Sequence, residues 1–349
     1  MAQSGGSRKK ILVAMSGGVD SSVTVASLLK EGFEVHGVFM KLLQSDVEQQ
    51  FQRVQHIADF LGVPVAMVDL SEEFSAKVLN YFSKTYCQGK TPNPCVICNH
   101  GIKFGKLLEF GDQQGIDRLA TGHYIRTSRD TAGTVHLLKG HDPRKDQSYF
   151  LCLLTQAQLQ RVVFPLGELA KTKVYELAAE LGLEGKHSKE SQDVCFMEGK
   201  NLKDFFVNIL QKSGDFVTLA GAIKKKHDGL HNYTVGQRRG LGIPDVTPFY
   251  VVGLDAKKNQ VIIGKEEDLW QDTLVVNKIN WLSGTVPDLP QTFDVKIRYR
   301  HQASPAVVED MGSGFKVCFN EPQRAITPGQ FAALYRGDEL VGGGEIVKR

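Results

Sequence analysis

The run Ile11-Leu-Val-Ala-Met15 passes directly into Ser16-Gly-Gly-Val-Asp-Ser21, and then into a helix-length stretch that Gly32 stops. An apolar strand, a glycine turn and a helix in that order confine the chain to an α/β architecture. The strand has no polar face and needs a sheet covered by helices. A strand-to-helix turn of this kind is where such folds hold phosphate. Glycines let the backbone approach oxyanions, and the first N–H groups of the helix point at them. The turn lacks the lysine of G-x-x-x-x-G-K-[ST], and its spacing is not G-x-G-x-x-G. In S-G-G-x-D-S, two hydroxyls and backbone N–H groups suit the pyrophosphate end of ATP, and Asp20 suits Mg²⁺. A plain turn with a cap at Ser16 or Asp20 is the bland alternative.

The rhythm continues with strands expected over 33–41, 64–70 and 117–124, and helices over 46–62, 71–86 and 100–115. This predicts a parallel sheet with helices on both faces and a ligand at the carboxyl ends of the strands. Helical stretches are expected to dominate from 126 to about 200, including 172–183. Beyond that, residues 215–270 read as short strands and turns, with a hairpin turning near Lys258-Asn259. Residues 272–349 carry short strands with Gly and Pro punctuation, the pattern of a small antiparallel barrel or sandwich.

A net charge of +3 over 349 residues excludes a protein coated in positive charge but allows a local nucleic-acid surface. The basic clusters are Lys224-Lys-Lys226, Arg238-Arg239 and Lys296/Arg298/Arg300; in a strand the last three would share one face. No apolar run approaches a membrane span, and the stretch after the basic first ten residues is too short for a secretory signal, so a cytoplasmic setting is expected.

Six cysteines in a chain of this length are no secreted disulfide framework. Cys87, Cys152 and Cys318 read as small buried hydrophobes. Cys95 and Cys98 form C-x-x-C at a helix start, where the dipole and unbonded N–H groups are expected to favour a thiolate. Cys195, in Glu190-Ser-Gln-Asp-Val-Cys-Phe196, precedes another helical stretch. The pair could be half of a zinc site completed by Cys195 and Cys87 or His100, a redox dithiol, or part of an iron–sulfur ligand set. Three thiolates would leave one iron of a [4Fe–4S] cluster open, whereas a metal-free route would use a persulfide resolved as a disulfide.

The glycine loop resembles the pyrophosphatase loop of N-type ATP-adenylating enzymes. Together with "GVFMK", "GKTPNPCVICN", "ATGHY", "KDQSYFL", "FPLGEL", "ESQDVCF", "YTVGQRRGLGI", "RYRH" and "TPGQ", in that order along the chain, it resembles the bacterial tRNA-uridine 2-sulfurtransferases. The resemblance implies an ATP-adenylating (PP-loop) α/β domain over 1–205, a small central domain over 206–270 and a C-terminal antiparallel β-barrel that helps to hold tRNA over 271–349. It implies ATP-dependent replacement of oxygen by sulfur at C2 of the wobble uridine. That carbonyl is a poor electrophile, so its oxygen is adenylated before a sulfur nucleophile displaces AMP. The base must leave its stack to reach the nucleotide. By resemblance, the ATP site comprises Ala14, Met15, Ser16, Gly17, Gly18, Val19, Asp20 and Ser21, with Met40 and Gly122 beside the adenosine. Asn93, Pro94, Cys95, Lys145, Asp146, Gln147, His123, Arg298, Tyr299 and Gln330 fall at tRNA or target-base contacts. Cys98 matches the nucleophile and Cys195 the persulfide carrier.

Many members of the family carry Asp where this chain has Cys95. Cys95, Cys98 and Cys195 thereby resemble the branch proposed to bind a [4Fe–4S] cluster, whose sulfide could replace the persulfide. The segment after Met40, "KLLQSD", lacks the longer acidic insertion of relatives. The implied partners are tRNA and a sulfur donor: a cysteine desulfurase, a sulfur-relay protein or inorganic sulfide. Another N-type adenylating synthetase, acting on a small carboxylate or amide, would explain the loop but neither the cysteines nor the barrel. A non-catalytic RNA-binding scaffold would leave the intact loop unexplained.

Overall fold

The computed structural model describes residues 8–44, 46–183, 195–197 and 212–348. The expected boundary near 205 lies outside them. The first strands and helices are β1 (Lys10–Ala14), α1 (Val19–Lys30), β2 (Glu34–Lys41), α2 (Val47–Leu61) and β3 (Val65–Asp69). Helical residues follow in α3 (Ser71–Phe74), a π-helical turn Ser75–Leu79, and α4 (Asn80–Cys87). The cysteine pair lies on α5 (Pro94–Cys98), which passes through a second π-helical stretch, Asn99–Lys106, into α6 (Leu107–Gln113).

Strand β4 (Leu119–Ala120) and, after the short helix α7 (Gln156–Leu159), strand β7 (Val162–Val163) complete a five-stranded sheet in the order β3-β2-β1-β4-β7. All four pairings are parallel. Ile11, Leu12 and Val13 are all buried, as a strand covered on both faces requires. Helix α8 (Lys171–Glu180) packs beside α1.

The segment after 125 departs from the helical expectation. It forms the hairpin β5 (Ile125–Arg129) and β6 (Val135–Lys139), turning at Gly133, whose φ of +86° favours glycine. Val135 and Leu137 are buried with His136 between them half-buried, the period-two pattern of a strand.

Four strands make the middle sheet: β8 (Gly214–Thr218), β9 (Ile223–His227), β10 (Tyr250–Asp255) and β11 (Gln260–Gly264), in the order β10-β11-β8-β9. The expected β10–β11 hairpin is present, with Asn259 in the left-handed region at φ +52°. The C-terminal part holds β12 (Trp270–Val276), β13 (Asn280–Trp281), β14 (Gln291–Lys296), β15 (Ser304–Asp310), β16 (Phe315–Arg324), β17 (Phe331–Arg336) and β18 (Glu339–Lys348). Antiparallel pairings run β12-β16-β15-β14-β17-β18 and return to β12, closing a six-stranded barrel. Closure removes the sheet edges that would otherwise attract other strands.

Barrel and α/β layer are joined in two ways. Strand β6 pairs with β18, Leu138 opposite Glu339 and Leu137 opposite Leu340. One apolar core also contains Leu12, Leu107 and Leu119 from the α/β layer together with Phe331, Tyr335 and Leu340 from the barrel. Among the described residues no helix is long and apolar enough to cross a membrane.

Candidate active site

The glycine loop leaves the carboxyl end of β1 in the middle of the parallel sheet. Gly17 has φ +75°, a left-handed conformation that glycine adopts without strain. Gly18 is the N-cap of α1, and no side chain caps the helix, contrary to the bland reading of a cap at Ser16 or Asp20. Ser21 Oγ, itself donating to the Gly18 carbonyl at 2.9 Å, accepts the Ser16 N–H at 3.3 Å. The loop is thus held in shape while the helix start remains open to an anion. Gly122 lies against it: a Cβ there would come within 3.0 Å of the Asp20 carbonyl carbon and 3.2 Å of the Ser21 nitrogen.

Asp20 carries partners that sequence reasoning missed. Lys171, the first residue of α8, donates from Nζ to both carboxylate oxygens at 2.7 and 2.9 Å, and the Tyr124 hydroxyl donates at 2.6 Å. Lys171 is buried, with its ammonium 4.9 Å from the Tyr175 ring centroid. Its backbone N–H is tied to Asp142 Oδ2 at 3.2 Å. A buried lysine needs a carboxylate partner, and a lone loop Asp needs a cation or metal. That complementarity was the available signal, but the partners lie 151 and 104 residues from Asp20.

As to Mg²⁺, which would arrive with ATP, such an ion needs only one or two protein carboxylates, and Asp20 fits that demand once Lys171 yields an oxygen.

The cysteine pair behaves differently from expectation. Cys98, last residue of α5, is buried, and burial pushes its thiol up to about 12. Burial also raises Cys95, which is half-buried. In both, the nearby Lys103 ammonium acts in the opposite direction but does not prevail. The expected helix-start thiolates are therefore corrected: desolvation outweighs the dipole at the start of α5. Cys195 is exposed, in the turn Cys195–Met197, and close enough for its charge to oppose ionisation of the other two.

No disulfide links the six cysteines. Among the described residues, no three His, Cys, Asp or Glu side chains are grouped to hold a metal ion. The three thiols nevertheless lie near enough that charge on Cys195 or Cys95 opposes ionisation of Cys98. Met40, half-buried, and Ile97 pack on the apolar cluster that contains Cys98 and Phe196.

The other expected site residues fall into two groups. His123 is buried, its Nδ1 2.7 Å from Thr121 Oγ1, and burial holds its pKa well below the usual imidazole range, so the ring is neutral at pH 7. Asp146 is buried and shapes its own turn, accepting from the Gly140 and Ser148 N–H groups at 3.1 Å each. Gln147 Oε1 accepts the Tyr124 N–H at 3.1 Å, and Lys145 is half-buried beside them. Tyr299 forms a ring pair with Phe150 at 4.5 Å between centroids.

Barrel residues brace the Thr91–Asn93 loop. Gln330 Nε2 donates to the carbonyls of Thr91 and Pro92 at 3.0 and 3.1 Å. The Tyr81 hydroxyl accepts the Asn93 N–H and donates to the Gly329 carbonyl, both at 3.3 Å. Pro94 opens α5 directly behind.

Arg298 corrects a further expectation. Strand β14 stops at Lys296, so Lys296, Arg298 and Arg300 do not lie along one strand face. The Arg298 guanidinium turns inward to the Ala325 carbonyl, the Thr327 hydroxyl and the Val235 carbonyl.

Three family profiles match the chain in succession: the tRNA methyl transferase HUP domain over 9–199, its PRC-barrel domain over 203–265, and an aminomethyltransferase beta-barrel domain over 271–346. The tRNA-specific 2-thiouridylase MnmA of Desulfotalea psychrophila is 46% identical over 339 residues, 96% of this chain and 98% of the relative. The tRNA-specific 2-thiouridylase MnmA of Carboxydothermus hydrogenoformans is 42% identical, covering 98% of each. Among solved structures, a 4-thiouridine synthetase–RNA complex with bound ATP aligns over 54% of this chain and 44% of its own, at 19% identity and a TM-score of 0.39.

Proposed function

The chain belongs to the tRNA-specific 2-thiouridylase family, and from that premise we propose that it uses ATP to replace the C2 oxygen of the tRNA wobble uridine with sulfur. The observation that carries the reading is the phosphate loop: an uncapped helix start at Gly18 backed by the buried ammonium of Lys171. In this reading Ala14–Ser21 hold the triphosphate of ATP, and Met40 and Gly122 border the adenosine. Asp20 and Lys171 manage the charge of pyrophosphate and its Mg²⁺.

The uridine O2 attacks the α-phosphorus, pyrophosphate leaves, and C2 carries AMP as leaving group. A persulfide on Cys195, charged by a sulfur donor, attacks C2 through its terminal sulfur and AMP departs. The Cys98 thiol then attacks Cys195 Sγ, its proton passing to N3 of the uridine, which lost one when O2 was adenylated. This leaves the terminal sulfur on C2 and a Cys98–Cys195 disulfide, which a thiol reductant must reopen. The outer sulfur comes from a cysteine desulfurase or a sulfur-relay protein, or from inorganic sulfide that opens the Cys98–Cys195 disulfide and leaves Cys195 as the persulfide and Cys98 as the thiol. Burial raises the Cys98 thiol, which therefore rests protonated and shielded from solvent oxidants.

Asn93, Pro94, Cys95 and His123 line the place of the flipped base, and Lys145, Asp146, Gln147, Arg298, Tyr299 and Gln330 form or support the tRNA contact. We divide this work among a catalytic part, 1–205, a central part, 206–270, and a barrel, 271–349, acting in the cytoplasm. The test is release of AMP from ATP with and without unmodified tRNA. Turnover that depends on tRNA supports the proposal; equal turnover without tRNA refutes it.

A further inference from the structure

We propose that Phe196 is the positioning residue of the sulfur-transfer step, an aromatic anchor that seats its neighbour Cys195 beside the helix bearing Cys98. The inference rests on the pairing of these two cysteines in the function proposed above. Phe196 is buried with 8% of its surface exposed, although the adjacent Cys195 is exposed. Its ring meets Phe74 at 5.6 Å and Phe82 at 5.1 Å between centroids, with interplanar angles of 69° and 89°. These are edge-to-face contacts, in which the positive edge of one ring meets the negative face of the other, so they fix orientation as well as burial. Phe82 is held in turn by Tyr86 at 5.0 Å and 78°.

The receiving surface is also the Cys98 surface. Leu70, Phe74, Val78, Phe82 and Tyr86 form one apolar cluster with Cys98, Ile102 and Phe196. Successive Cα atoms lie about 3.8 Å apart, so anchoring Phe196 confines Cys195 to a small volume next to that cluster. Confinement raises the effective concentration of one sulfur at the other, the form of rate enhancement available to two thiols on separate segments. The signal in the sequence is the phenylalanine directly after the cysteine, a residue with no polar chemistry of its own at a site made of polar chemistry.

The experiment oxidises the full-length protein with diamide, a two-electron thiol oxidant, and follows the Cys98–Cys195 link by peptide mass spectrometry. Single-turnover tRNA thiolation, ATP binding and melting temperature are measured alongside. Phe196→Ala is expected to slow both linking and thiolation by about tenfold or more, with ATP binding unchanged. Phe196→Leu, which keeps apolar bulk, is expected to recover most of the rate. Phe82→Leu, on the receiving side, tests the anchor without touching the cysteine segment and is expected to slow linking as well. Wild-type linking rates in both Phe196→Ala and Phe82→Leu would overturn the anchor while leaving the cysteine roles intact. A wild-type protein that never forms the link, together with full thiolation by Cys195→Ser, would refute the cysteine pairing itself and the anchor with it.

Discussion

The ammonium of Lys171 lies 2.7 and 2.9 Å from the two carboxylate oxygens of Asp20, joining the start of α8 to the first turn of α1. The pair sits beside an uncapped helix start, where the phosphates of ATP would bring several negative charges. Under the proposed function Lys171 turns toward those charges while Asp20 takes Mg²⁺, so that one ion pair becomes two interactions.

Lys171→Met is therefore expected to lower the rate of tRNA-dependent AMP formation by about 10²-fold or more, since in the proposed reaction it removes a charge that would stabilise the reacting phosphates. Asp20→Ala is expected to abolish that rate. Both should bind tRNA nearly as wild type does, which filter binding would measure. Retained AMP formation in either variant would remove its assigned role.

Gly329 sets the distance between the barrel and the Thr91–Asn93 loop. Its φ is +91°, and a Cβ there would stand 2.7 Å from the Thr91 carbonyl oxygen. Gly329→Ala is expected to displace the Thr91–Asn93 loop, reducing thiolation more than ATP binding. Gln330→Ala removes two hydrogen bonds to that loop without a clash and should give the same pattern more weakly. Equal loss of ATP binding and thiolation in both would show a general folding defect.

Arg298 makes a separate prediction because its partners are internal. Arg298→Ala leaves the Val235 carbonyl without its donor and the Ala325 carbonyl with the Thr327 hydroxyl in place of two donors, at a cost of about 1–3 kcal/mol where such a group stays buried. The melting temperature of the tRNA-free protein should fall. An unchanged melting temperature with weakened tRNA binding would make Arg298 a contact residue alone.

His136 ties the β5–β6 hairpin to the barrel, with Nδ1 2.6 Å from Glu339 Oε1 and Nε2 3.2 Å from Asp130 Oδ2. The Glu339 hydrogen bond raises its pKa, with Asp130 adding to the effect. A group raised on folding contributes fully below its unfolded value, about 6.5, and the contribution disappears as pH rises through the folded value. The melting-temperature deficit of His136→Asn should thus be larger near about pH 6 than above about pH 8. A deficit independent of pH would mean that the imidazole acts only by packing.

The parallel sheet was legible because β1 to β3 and their helices each carry their own periodicity. The hairpin at 125–139 was not, since its place is set by pairing with Glu339 and Leu340, some two hundred residues later. The loop at Ser16–Ser21 announced itself through glycine spacing, whereas Lys171 and Tyr124 reach Asp20 only after folding. Arg298 reads from sequence as one of three basic residues on a strand face because sequence records charge but not which carbonyls will surround it. The thiols of Cys95 and Cys98 were misread for a related reason: the dipole follows from helix position, but burial follows from the tertiary core.

The most direct measurement is a single turnover with ATP, Mg²⁺, unmodified tRNA and a cysteine desulfurase with cysteine as sulfur source, counting AMP and 2-thiouridine together by nucleoside mass spectrometry. The account predicts equal amounts of both, with the sulfur at the wobble position and neither product formed by Asp20→Ala. AMP without 2-thiouridine, or 2-thiouridine without ATP, would contradict it.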